Sequence, residues 1–184
     1  MESVERVEQR ARVHYELARM RRALLGFAPV LAVVAAAALL AKHPSTTVAF
    51  GIALFAAGAV LLWYGRDLRR AVLPGVAAGL VPLVLTLCAN HVGHACMGDR
   101  CMALCIPACA TGGVVAGFAV AAAGIRRRSG IGFWLSASAL ALLTGAMACG
   151  CVGYAGLVGL GLGFGSGFAF RFIGKLVAKR PRVG

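Results

Sequence analysis

Six apolar runs alternate with short polar clusters along the chain. They span Ala23 to Ala41, Val48 to Gly65, Ala71 to Ala89, Met102 to Ile125, Ile131 to Ala148 and Val152 to Phe170. None contains Asp, Glu, Lys, Arg or His. Each is long enough to cross a hydrocarbon layer of roughly 30 Å as a helix. Helix is the only option for such a run, because every unpaired backbone group in lipid costs several kcal/mol. The expected fold is therefore all-α: a polytopic membrane protein built as a bundle of six transmembrane helices. Residues 23–170 form the membrane domain, between a polar N-terminal segment (1–22) and a basic tail (171–184).

Residues 2 to 22 have a different pattern. Val4, Val7, Ala11, Tyr15 and Ala18 recur at helical spacing and make an apolar stripe. Glu2 with Arg6, and Glu8 with Arg12, are favourable pairs one helical turn apart. This segment reads as an amphipathic helix running into the first span. It either lies on the lipid surface with its arginines reaching for headgroups or docks in the groove of a cytoplasmic protein. In the second case the contact residues are Val4, Val7, Arg10, Ala11, Tyr15 and Arg19.

Composition agrees with the pattern. Of 184 residues 60% are apolar and 14% charged, against about 25% charged in an ordinary soluble domain. A soluble enzyme, a disordered chain and a secreted disulfide miniprotein are excluded. The net charge of +13 would suggest nucleic acid in a soluble protein, but its placement gives it another meaning. Of 19 Lys and Arg, only Lys42 and Arg100 fall in the loops on one side; the rest fall on the other. Basic residues stay in the cytoplasm, so both termini are expected there, with no direct nucleic-acid contact. Trp63, Tyr64, Phe133 and Trp134 sit at the basic ends of their spans, where an interfacial aromatic belt would place them. The first apolar run is too long, and starts too late, for a signal peptide.

Small residues set the packing. Gly159, Gly163 and Gly167 share one face of the last span, and Gly75 with Gly79 and Gly113 with Gly117 repeat the four-residue interval. This spacing lets helices approach closely, either inside the bundle or at a homodimer seam. Ser136, Ser138, Thr111 and Thr144 read as helix-to-helix hydrogen bonders rather than catalysts. There is no intramembrane ionisable group for an ion-coupled carrier, and no nucleophile with a base, paired carboxylates or phosphate loop for an enzyme. No cofactor is expected.

The remaining chemistry is sulfur. Seven cysteines, Cys88, Cys96, Cys101, Cys105, Cys109, Cys149 and Cys151, cluster at or near the arginine-poor side, with His91 and His94 among them. Cys109 sits about one turn deeper than the rest. Cys101, Cys105 and Cys109 are four apart and line one helix face, with neighbours about 5–6 Å apart at Cβ. A disulfide wants about 3.8 Å, so bonding within the stripe is strained, while a shared metal or a bond to another helix is feasible. Cys149 and Cys151, in the other outer link, are the obvious partners. Structural packing, redox sensing through Cys96, Cys101, Cys105, Cys149 and Cys151, and metal binding through His91, His94, Cys96 and Cys101 all fit. Seven is odd, so a monomer keeps at least one unpaired thiol.

Three stretches carry a family resemblance: the cysteine-rich entry CMALCIPACA, the basic turn IRRRSG, and the passage LLTGAMACGCVGYAGLVGLGLG closing at FRF. With six spans, almost no soluble domain and outer cysteines, the chain resembles the integral-membrane anti-sigma factors of the NrsF kind, most clearly from Cys101 to Arg171. The resemblance implies a protein of the bacterial inner membrane that holds a sigma factor of the extracytoplasmic-function (ECF) type and releases it on an external oxidative, light-derived or metal signal. Its sensing cysteines would correspond to Cys101 or Cys105 and to Cys149 or Cys151. The alternative function is a small heavy-metal permease or sensor using the outer Cys/His cluster.

Sidedness is directly testable. A variant retaining only Cys96 should react with a membrane-impermeant maleimide added outside intact spheroplasts; reaction only after the cytoplasm is opened would reverse the orientation.

Overall fold

The computed structural model describes residues 2–41, 44–64, 66–92, 94–97, 100–149 and 153–178, with side chains described for 8–41, 44–64, 68–89, 91–92, 104–149 and 153–174. Six helices follow in order: α1 (Glu2–Leu40), α2 (Pro44–Tyr64), α3 (Arg66–Val92), α4 (Cys105–Arg127), α5 (Ile131–Cys149) and α6 (Tyr154–Ala178). All six are long and apolar enough to cross a membrane, as in a multi-pass membrane protein. A short antiparallel hairpin, β1 (His94–Met97) and β2 (Arg100–Ala103), separates α3 from α4. The sequence pattern predicts a loop there and a fourth span beginning at Met102. The structure instead puts Met102 in a strand and starts the helix at Cys105. Periodicity over so few residues does not tell a strand from the entry to a helix.

Helix α1 is continuous over 39 residues, so the amphipathic segment and the first span are one rod. At 1.5 Å per residue it is about 58 Å long, nearly twice what the hydrocarbon layer needs. Its first half therefore lies at and beyond the basic end of the bundle, with Glu16 and Arg19 still against Trp63 near the end of α2.

The most extensive interface joins α4 to α6, followed by α3 with α5 and α3 with α4. α1 packs mainly on α2, which leans on α5. Lipid gives no hydrophobic drive for one apolar helix to prefer another, so close backbone approach must hold these pairs. On α4, a methyl group added at Gly113 or Gly117 would strike the carbonyl oxygens of Leu160 and Phe164 on α6. On α6, Gly163 and Gly167 face the carbonyls of Ala110 and Val114 in return. Gly75 and Gly79 of α3 lie against the Ala137 and Ala141 carbonyls of α5, where an added methyl carbon would sit 2.8 and 2.6 Å from oxygen. Such contacts bring Cα–H groups onto carbonyls, each a weak attraction of about 0.5–1 kcal/mol. The glycine face of the last span is thus occupied inside one chain, which answers the choice between internal packing and a homodimer seam for that face.

Two expectations are corrected. Phe133 is 3% exposed and belongs to the core with Val120 and Phe164. Trp134 also turns inward, covering Gly124 and meeting Phe168 and Phe172 edge-on. Neither is a belt residue; Tyr64, 75% exposed, still fits that role. Thr111 and Thr144 donate to Pro107 and Leu140 of their own helices, not across helices. A hydroxyl-to-carbonyl bond between helices comes instead from Thr47 of α2, which donates to the Met147 carbonyl of α5 at 2.9 Å. Carbonyls in a last helical turn lack an intrahelical partner, so this bond fills a vacancy that hydropathy does not reveal.

Gly117→Ala and Gly167→Ala should each destabilise the bundle by about 1–3 kcal/mol, because a methyl group meets backbone that has little room to yield. Gly165→Ala, where nothing lies within 4 Å, should stay within about 0.5 kcal/mol. Unfolding by SDS in mixed micelles, followed by circular dichroism, compares them.

Candidate functional site: a buried dithiol and an exposed basic helix

Chemistry gathers at the two ends of the bundle. At the end away from the arginines, three central helices meet around Thr86 of α3, Cys109 of α4 and Cys149 of α5. All three are at most 1% exposed. The Thr86 oxygen lies 3.5 Å from the Cys109 sulfur and 3.6 Å from the Cys149 sulfur.

Local sequence explains the meeting. Pro82 lies inside α3, and proline has no N–H for the helical ladder. Gly112 of α4 and Gly145 of α5 both close on Pro82, drawing their helices in. Thr86 follows one turn later and donates to the Pro82 carbonyl at 2.7 Å. A hydroxyl has one proton and two lone pairs. With that proton given to Pro82, the oxygen is left to accept S–H bonds from the thiols. The surroundings are apolar: Ala146 and Leu160 complete the buried cluster, with Phe50, Leu142 and Leu157 packed around it.

The sequence-derived cysteines distribute unevenly. Cys149 is not an outer-link residue but the last residue of α5, fully buried. Cys105 begins α4 and is half-buried. In the hairpin, Cys96 and Cys101 stand directly opposite one another in register. Cys151, in the link before α6, lies outside the described residues, as do the side chains of His94, Cys96 and Cys101. His91 is exposed near the end of α3. Among the described residues, no three His, Cys, Asp or Glu side chains converge as a metal site would require.

Sequence reasoning passes over the pair that the fold brings together. The expected helix face of Cys101, Cys105 and Cys109 is reduced to Cys105 and Cys109, because Cys101 lies in β2 and α4 starts at Cys105. Thr86 carries no signal, since a lone threonine in an apolar run is common.

At the basic end the first half of α1 is held against α2. Trp63 Nε1 donates to Glu16 at 3.1 Å, and Arg19 donates to the Trp63 carbonyl. Arg12, Val13, Glu16, Leu17, Met20 and Trp63 line a cavity of about 270 Å³ between the two helices. Of the expected contact residues, Arg10, Ala11 and Tyr15 are exposed, whereas Arg19 is half-buried and committed to Trp63. The side chains of Val4 and Val7 lie outside the described residues. The sequence places Trp63 at this end as a belt aromatic; its role in holding α1 through Glu16 and Arg19 is what the structure adds. Comparison with protein families, with curated proteins and with solved structures returns no match.

Thr86→Val should cost about 0.5–1.5 kcal/mol, because both thiols lose an oxygen partner in a dry site. Thr86→Ser keeps the oxygen and should recover most of the loss. The same SDS titration reads both; equal stability of Val and wild type would mean that the hydroxyl does not hold the thiols.

Proposed function

We propose that the chain is a membrane-bound anti-sigma factor. It holds an ECF sigma factor at a bacterial inner membrane through its basic, cytoplasmic end, and lets it go when cysteines at the opposite end react. The observation that carries this reading is the separation of two chemistries on one bundle. Thiols collect at one end. At the other, half of a long amphipathic helix projects with Arg10, Ala11, Val13 and Tyr15 uncovered. The arginine distribution supports a cytoplasmic location for that helix, and the likeness to anti-sigma factors of the NrsF kind rests on the stretches from Cys101 to Arg171.

On the input side, the register of Cys96 against Cys101 sets two backbones about 4.5–5.5 Å apart at Cα, within the span of a disulfide. A peroxide would oxidise this pair to a disulfide, its oxygens leaving as water and alcohol. The hairpin leads directly into α4, so strain there reaches the α4–α5 pair. Contacts then continue from α5 to α2 through Thr47 and from α2 to α1 through Trp63, Glu16 and Arg19. Release requires two packings of similar energy, each favoured by one thiol state.

Full-length protein co-expressed with each ECF sigma factor of its source genome in turn, then purified in detergent, should retain one of them. Deleting residues 2–20 should release it while helicity and micelle-bound size persist. Retention by the deleted form would move the binding surface elsewhere, and no retention by the intact form would overturn the proposal.

A further inference from the structure

We propose that Cys109 and Cys149 form a two-coordinate site for divalent mercury, distinct from the outer His91, His94, Cys96 and Cys101 group. Three observations lead there. Two thiols from different helices meet in the outer half of the bundle. A hydroxyl oxygen stands 3.5 and 3.6 Å from their sulfurs. Ala146 and Leu160 are buried with them, and Phe50, Leu142 and Leu157 pack around the cluster.

Charge decides which ion fits. Thiolates select soft metals. Zinc in a protein is almost always four-coordinate, and two sulfurs with one weakly donating hydroxyl do not provide that set. Monovalent copper between two thiolates would leave one net negative charge in apolar surroundings, a burial costing several kcal/mol. Divalent mercury between two thiolates is neutral and accepts a linear pair of sulfurs. The exchange balances without a redox partner: two R–SH and HgCl₂ give RS–Hg–SR, two protons and two chloride ions. Loss of both protons follows from the requirement that a metal-bound thiol be deprotonated. Burial, which excludes charged reagents, does not exclude neutral HgCl₂. Cys105, half-buried one turn outward on the same face of α4, provides a first thiol from which the ion passes inward by ligand exchange.

Mercury binding here is independent of whether the chain holds a sigma factor, and its test contains none. A full-length variant with Cys88, Cys96, Cys101, Cys105 and Cys151 changed to Ser leaves the inner pair alone. Reduced, freed of reductant, loaded with HgCl₂ in detergent and washed with glutathione, it should retain about one mercury per chain, and adding Cys109→Ser should lower retention at least about tenfold. X-ray absorption should show two sulfur neighbours. Helical but mercury-free protein, equal retention after Cys109→Ser, or three or more sulfur neighbours would each overturn the site. If the five-serine variant does not fold, alkylation in SDS of mercury-loaded, washed wild type, set beside the mercury-free protein, replaces it. Cys109 and Cys149 should be alkylated only in the mercury-free sample, and their equal alkylation in both would refute the proposal.

Discussion

Close contact between glycine Cα–H groups and carbonyl oxygens on the facing helix is the constraint on which the bundle rests. In water, apolar burial would drive these helices together, whereas lipid competes for the same surfaces on nearly equal terms. What lipid does not match is the fit of one backbone on another. The α4–α6 seam uses this reciprocally: Gly113 and Gly117 face carbonyls of α6, while Gly163 and Gly167 face carbonyls of α4. The same device in α3–α5, through Gly75 and Gly79, places α3 and α5 at the centre and leaves α1, α2 and α6 with broad lipid-facing surfaces. Large exposed side chains such as Leu39, Leu73, Tyr154 and Phe170 therefore mark the lipid boundary, not a defect of packing.

Polar groups refine this arrangement where backbone fit ends. Near the thiol end, Thr47 fills an orphan carbonyl of α5 and Thr86 satisfies both Pro82 and the two sulfurs. Both hydroxyls thus have partners inside the apolar region, as a water-free interior demands. Pro82 organises that end. It takes the glycines of two neighbouring helices, and the next turn delivers Thr86 to the point where α4 and α5 converge. Cys109 and Cys149, 40 residues apart in the chain by their numbers, meet because of a proline on a third helix.

That dependence explains what the sequence reveals and what it hides. Span number and approximate bounds are legible because hydropathy acts locally and lipid enforces helix. The small-residue faces are legible because a four-residue interval has one structural meaning. The hairpin at 94–103 is not, since ten residues of mixed character carry no distinctive period. Trp134 and Phe133 look like interfacial aromatics by position, yet Gly124 opens a space that draws one inward, and residues on neighbouring helices bury the other. Thr86 and Cys109 stay hidden for the same reason: their meaning lies in a three-helix junction, and no window along one helix contains it. The continuous α1 is readable, because no proline or glycine interrupts the chain between Glu2 and Arg22.

The basic turn between α4 and α5 shows how charge placement overrides local comfort. Arg128 ends α4 in the left-handed conformation, φ 49° and ψ 43°, while the N–H groups of Arg128 and Ser129 close the helix on Ile125 and Gly124. Glycine is the usual residue at such a cap, and a side chain there costs about 1 kcal/mol. Gly130 stands two positions later, so glycine was within reach of this turn. Keeping Arg126, Arg127 and Arg128 consecutive instead concentrates positive charge at a link that must not cross the membrane, where an arginine at the bilayer centre would cost about 2.5–3.5 kcal/mol even by the most lenient scale. Arg127 also bonds the Arg70 carbonyl at 2.8 Å, fastening this turn to the start of α3. The strain at one residue is smaller than the cost of carrying the charges of this turn through the bilayer.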